Sequence, residues 1–96
     1  MASANIVTKE QFDEVCAALW SEIEYQNNLA RRTDDSEALQ VPSYLTLGQV
    51  YLNKAAEDWA LNAGDELALH GLRKVAGIFV RGMVYCGVRN RAPVIA

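Results

Sequence analysis

The side chains best placed to do chemistry sit in one short stretch near the end of the chain: His70, Arg73, Lys74 and Arg81, with Glu66 just before them. At roughly 100° per residue of an α-helix they fall on a single face, with Gly77 among them. A guanidinium can clamp a phosphate or carboxylate with two parallel hydrogen bonds, and a lysine adds a point charge. This face therefore reads as a site for a phosphorylated ligand or an acidic partner. Gly77 is expected to leave open space in its middle, and Arg89 and Arg91 could join it. The same residues serve equally well as a solvated strip on an otherwise apolar helix. His70 is the only histidine, so any Ser–His or Cys–His relay would have to be built on it, and its cationic neighbours disfavour a positive imidazole. No catalytic residue, metal ligand or cofactor is assigned: the chain has no Gly-rich phosphate loop, zinc-ligand pattern or nucleophile elbow.

Acids dominate the earlier part of the chain. Glu10, Asp13, Glu14, Glu22 and Glu24, followed by Asp34, Asp35 and Glu37, could bind a divalent metal or imitate the charge of a nucleic acid. Metal chemistry in a helical protein needs carboxylates converging from facing helices, and most of these acids point away from the expected core. Tyr25, beside Gln26, Asn27 and Asn28 and opposite the apolar stripe of its helix, reads as a contact residue or equally as one resting on the loop. Asp34 and Asp35 join it as candidate partner-binding residues, because they lie on the longest connection in the chain.

The net charge of −3 conceals an asymmetry. Residues 1–66 hold twelve acids against four bases, a net −8, whereas residues 67–96 hold five bases and no acid, a net +5. Such a division suits an anionic ligand or an oppositely charged partner, or neutralisation within the molecule or its dimer mate. An acidic protein is poorly suited to direct nucleic-acid binding. Cys16 and Cys86 lie on apolar faces and read as small buried hydrophobes that could also meet as a disulfide. No apolar run reaches membrane-spanning length, since Arg73, Lys74 and Arg81 interrupt the only candidate. With no basic-then-apolar leader at the N-terminus, a cytoplasmic location without membrane contact is expected.

The elements that must position these residues are helical. Ninety-six residues make one domain, with residues 1–7 and 88–96 as flexible ends. Thr8 and Gln11 fit a capping box ahead of a stripe of Phe12, Val15, Cys16, Leu19, Ile23 and Ala30, which predicts a helix over about 9–31. Residues 33–42 form a polar loop in which Pro42 should hold Val41 out of helical conformation. A second helix over about 43–62 carries Tyr44, Gly48, Tyr51, Leu52, Ala55 and Trp59 on one stripe. Asn62-Ala63-Gly64 ends it, Gly64 suits a left-handed cap, and Asp65 is the N-cap of a third helix running to about 86. So short a connection predicts an antiparallel hairpin, with Gly48 and Ala55 facing Gly71 and Gly82 to allow close approach. The third helix is apolar around most of its girth, more than two companion helices can cover. The expected fold is an all-α, three-helix antiparallel bundle completed by homo-oligomerisation.

Two segments carry a resemblance: Glu22-Ile23-Glu24-Tyr25-Gln26-Asn27-Asn28-Leu29, and Leu72 through Met83 followed by Gly87 and Arg91. They resemble small helical accessory proteins encoded by bacteriophages. Some of these look like trimmed relatives of the MazG-type nucleotide pyrophosphohydrolases, all-helical dimers that hold magnesium with Glu/Asp clusters. The MazG-type pattern has a Glu-x-x-Glu pair and, a helix later, a Glu-x-x-Asp pair. This chain has Glu10-x-x-Asp13 and an unmatched Glu57-Asp58, so no catalytic residue carries over. The resemblance implies a non-enzymatic accessory protein that, as a homo-oligomer in the host cytoplasm, binds and modulates or inhibits a host or defence protein, as anti-CRISPRs do. A magnesium-dependent nucleotide pyrophosphohydrolase is the alternative, and a binder of a phosphorylated small ligand through the basic face is a further one.

Overall fold

Thr8 opens the first helix as its spacing to Gln11 predicts. In the computed structural model of the chain, Gln11 N–H donates to Thr8 Oγ1 at 3.1 Å and Thr8 N–H donates to Gln11 Oε1 at 2.9 Å. These reciprocal bonds satisfy two backbone donors that a helix start otherwise leaves without partners. Thr8→Ala is expected to lower stability by about 1 kcal/mol, read as faster amide exchange in the first turn with little change further along the helix.

The structure describes residues 5–33, 39–62 and 64–93; for residues 31–33 and 62 it describes the backbone alone. Three helices account for most of them: α1 (Lys9–Thr33), α2 (Val41–Asn62) and α3 (Glu66–Cys86). Among the described residues there is no strand, so the all-α expectation holds, with each helix within about two residues of its expected bounds. The chain divides into two compact units, Met1–Ser36 with α1 and Glu37–Ala96 with α2 and α3. Much of the polar loop, residues 34–38, lies outside the described residues, as do 1–4 and 94–96 of the ends and Ala63 of the second connection.

Along α1 the expected apolar stripe is unevenly covered. Leu19, Ile23 and Ala30 are half-buried, whereas Phe12, Val15 and Cys16 are exposed. Cys16 is therefore not the buried hydrophobe its spacing implied, and both it and the half-buried Cys86 are free thiols. Glu22 departs the other way. Expected with the solvated acids, it is buried, and its Oε2 accepts from Gln26 Nε2 at 3.0 Å one turn along.

The start of α2 corrects the reading of Pro42. Val41 is helical, and the N–H groups of Ser43 and Tyr44 both donate to Gln40 O, at 3.0 and 3.2 Å. Pro42 thus sits in the first turn, where a residue needs no N–H because no earlier carbonyl is there to receive one. The steric bias against a helical residue before proline is overruled by a turn whose remaining donors share one acceptor.

Within the second unit α2 and α3 form the expected antiparallel hairpin, and its seam is a ladder of small residues against large ones. A Cβ added to Gly82 would lie 3.1 Å from the Tyr44 ring, and one added to Gly48 would overlap the ring of Phe79. One added to Gly71 would come within 2.5 Å of Ala55 Cβ. Lys74 Nζ stands 4.1 Å from the centre of the Tyr51 ring, and Trp59 Nε1 donates to Asp65 Oδ1 at 2.9 Å. As the α2 partner advances from 44 to 59, the α3 partner retreats from 82 to 65, which is the antiparallel register. Tyr44, Ala55, Val75 and Ile78 are the buried hydrophobic residues of this seam.

Both ends of α3 show local chemistry. Asp65 occupies the N-cap position, and its carbonyl accepts from Leu69 N–H at 2.8 Å, but its carboxylate makes no capping bond. That carboxylate is held by the Trp59 indole instead. At the other end Gly87 adopts φ 126, and its N–H donates to Met83 O at 2.9 Å. Only glycine takes that backbone region without strain. No helix among the described residues is long and apolar enough to cross a membrane.

Candidate functional site

The basic face of α3 forms as its spacing predicts, and its cations already have partners. Arg73 Nη1 lies 2.6 Å from His70 Nδ1. A guanidinium can only donate, so Nδ1 is the acceptor and the imidazole carries its proton on Nε2. That nitrogen faces Glu66 Oε1 at 3.4 Å, a long contact. Glu66, His70 and Arg73 thus form a chain along consecutive turns of one helix. Lys74 is drawn across the hairpin onto Tyr51, and Arg81 lies 5.7 Å from the centre of the Tyr85 ring one turn on. Such cation–π contacts are worth about 0.5–1 kcal/mol at exposed positions. Gly77, expected as the open middle of this face, is buried. Of these contacts only that of Lys74 with Tyr51 joins α3 to α2; the others run along α3 itself.

The remaining predicted residues belong to the first unit. Tyr25 is exposed on α1 in the first unit, beside the Glu22–Gln26 pair. Asp34 and Asp35 lie outside the described residues. Asp13, half of the Glu10-x-x-Asp13 pair, is in an exposed ion pair with Lys9 at 2.6 Å. Among the described residues no three His, Cys, Asp or Glu side chains gather where they could hold a metal ion.

What the hairpin does present is grease. With the seam fixed by Gly48, Ala55, Gly71 and Gly82, helical spacing puts Leu45, Leu52 and Trp59 of α2 on the same flank as Leu69, Leu72 and Met83 of α3. All six are exposed; Leu52 is 45% exposed and Leu72 56%. None carries a charge, and the cations lie around the other sides of α3. Single exposed hydrophobic residues need no explanation, whereas several sharing one flank make it a candidate interaction surface.

Comparison with protein-family models, curated proteins and solved structures finds no match to this chain. The flank was half legible in the sequence, since α3 is visibly apolar around most of its girth. Which side stays uncovered depends on the rotation of α2 against α3, and that is set by the glycine contacts.

Proposed function

We propose that this chain is a non-enzymatic interaction protein that self-associates through the uncharged flank of the α2/α3 hairpin and, as that oligomer, binds and modulates another protein. The observation that carries the reading is the row of exposed Leu45, Leu52, Trp59, Leu69, Leu72 and Met83 on one side of a two-helix unit. Two packed helices enclose little core, and the hydrophobic effect favours covering such a row at roughly 25 cal/mol per Å² of apolar surface removed from water. A two-fold interface between copies covers it with the same kind of surface from both sides. The resemblance of the Glu22–Leu29 and Leu72–Met83 segments to phage accessory proteins supports a host or defence protein as the further partner, with Tyr25 exposed to contact it.

Neither alternative has a placement of residues in its favour. Glu10 and Asp13 have no facing acids among the described residues to hold magnesium, and the cations of α3 are turned to His70, Tyr51 and Tyr85. Sedimentation equilibrium at tens of micromolar tests the reading, a range in which a specific interface of ordinary size is populated. The expected mass is a small multiple of 10.6 kDa. A single species of 10.6 kDa throughout that range would overturn it.

A further inference from the structure

At the end of the hairpin where α2 begins and α3 stops, the helices border an open cleft of about 340 Å³. Tyr44, Leu45, Phe79 and Met83 make its walls, with Cys86, Gly87 and Arg89 also on its lining. The volume falls at the lower end of the range for small-molecule sites, and an apolar enclosure with few polar groups is their usual composition. Local structure builds it. Pro42 in the first turn lets α2 start at Val41, so Leu45 already stands on a helix. The missing Cβ of Gly82 lets the Tyr44 ring rest against α3. The φ of 126 at Gly87 turns the chain so that Arg89 folds back against that glycine, its Nη1 2.7 Å from where a Cβ would be.

Arg89 decides the ligand chemistry. Its Nη1 donates to Val88 O at 3.1 Å, and it has no carboxylate partner among the described residues. A guanidinium has five N–H donors, so enough remain to take a carboxylate with two parallel bonds. The Cys86 thiol points to the Leu39 carbonyl at 3.6 Å and adds no charge. We infer that this cleft binds a small apolar carboxylate, an acyl or aryl acid whose hydrocarbon lies among Tyr44, Phe79 and Met83 and whose carboxylate meets Arg89. The cleft shares Leu45 and Met83 with the flank proposed for self-association, so ligand and assembly compete at this end, whereas the closed end of the flank at Leu52, Trp59 and Leu72 takes no part in it.

Decanoate is a suitable probe, measured by calorimetric titration of the full chain beside 1-decanol and decylamine. Saturable binding is expected for decanoate and should weaken on the order of tenfold in Arg89→Gln, since a partly exposed charge-assisted pair is lost. Binding of decanol should be weaker and unchanged by that substitution. Decanoate should also slow alkylation of Cys86 by iodoacetamide, and binding should persist in Leu72→Glu, which is aimed at the other end of the flank. Should Met83→Trp, which fills the cleft from its wall, leave decanoate binding intact, the assignment falls. Equal binding of decanoate and decylamine, or no difference between the wild type and Arg89→Gln, would equally overturn it.

Discussion

Gly71→Ala is expected to loosen the α2/α3 hairpin, although the same change on a free helix would stabilise it. Alanine is the better helix former by roughly 1 kcal/mol, but its methyl carbon would sit 2.5 Å from Ala55 Cβ, with the Ala55 backbone only 3.4 Å away. Neither neighbour is the far end of a flexible side chain, so relief requires the helices to separate. Overpacking of this kind costs about 1–3 kcal/mol, and the net effect should be a lower thermal midpoint with weaker amide protection along Ala55 to Trp59. The compensating change is specific. Adding Ala55→Gly removes the opposing methyl and leaves an ordinary contact with the backbone, so the double variant should recover most of the packing loss. Gly48→Ala is the control, because there the obstacle is the rim of the Phe79 ring, a partly exposed side chain that can swing aside. A double-mutant cycle on Gly71 and Ala55 with no coupling would show that the two helices do not meet where they are placed.

Leu72→Glu is expected to dissociate the proposed oligomer while leaving the subunit folded. In the isolated subunit this side chain is more than half exposed, so a carboxylate there remains solvated and the fold has little to lose. At a two-fold interface the same position is buried twice, once from each copy. An unpaired charge taken out of water costs about 3 kcal/mol or more, a little over a hundredfold in the dissociation constant. Circular dichroism should be unchanged as the sedimenting mass falls towards 10.6 kDa. Val84→Glu, at an exposed position on another side of α3, should leave assembly intact. If Leu72→Glu keeps the wild-type mass, the flank is not the contact surface.

Much of this arrangement could be read before any coordinates, and the particular residues show why the remainder could not. Thr8 and Gln11 act only on each other's backbone, so their spacing suffices. Gly48, Ala55, Gly71 and Gly82 were recognisable as a close-approach seam because small residues at helical spacing on both sides of a tight turn have few other uses. Asp65 was misjudged in its side chain. A carboxylate at an N-cap ordinarily bonds its own helix, and the competing Trp59 indole comes from a different element. Pro42 was misjudged because two local rules conflict at a helix start, and the shared acceptor Gln40 decided between them. Lys74 could be placed on the basic face, but its seat on Tyr51 depends on how far α2 is rotated about its axis. The same rotation places Leu45, Leu52 and Trp59 on one flank with Leu69, Leu72 and Met83, and the cleft beside Arg89 needs in addition the φ of 126 at Gly87. Glu22 shows the limit most plainly, since nothing in its neighbours along the chain distinguishes it from the exposed acids around it.

The Trp59–Asp65 bond spans six residues and sits nearest the turn, and that location bears on how the second unit assembles. Loop-closure entropy rises only with the logarithm of the segment closed, so the shortest link is the least costly to form first. Once it is made, Ala55 with Gly71, then Tyr51 with Lys74, then Gly48 with Phe79, each needs only a few further residues to come into register. The hairpin can therefore zip outward from its closed end, on the microsecond timescale of local helix pairing, without a long-range search. The indole–carboxylate bond is thus expected to form early, and the hydrocarbon-lined mouth at the far end to close last.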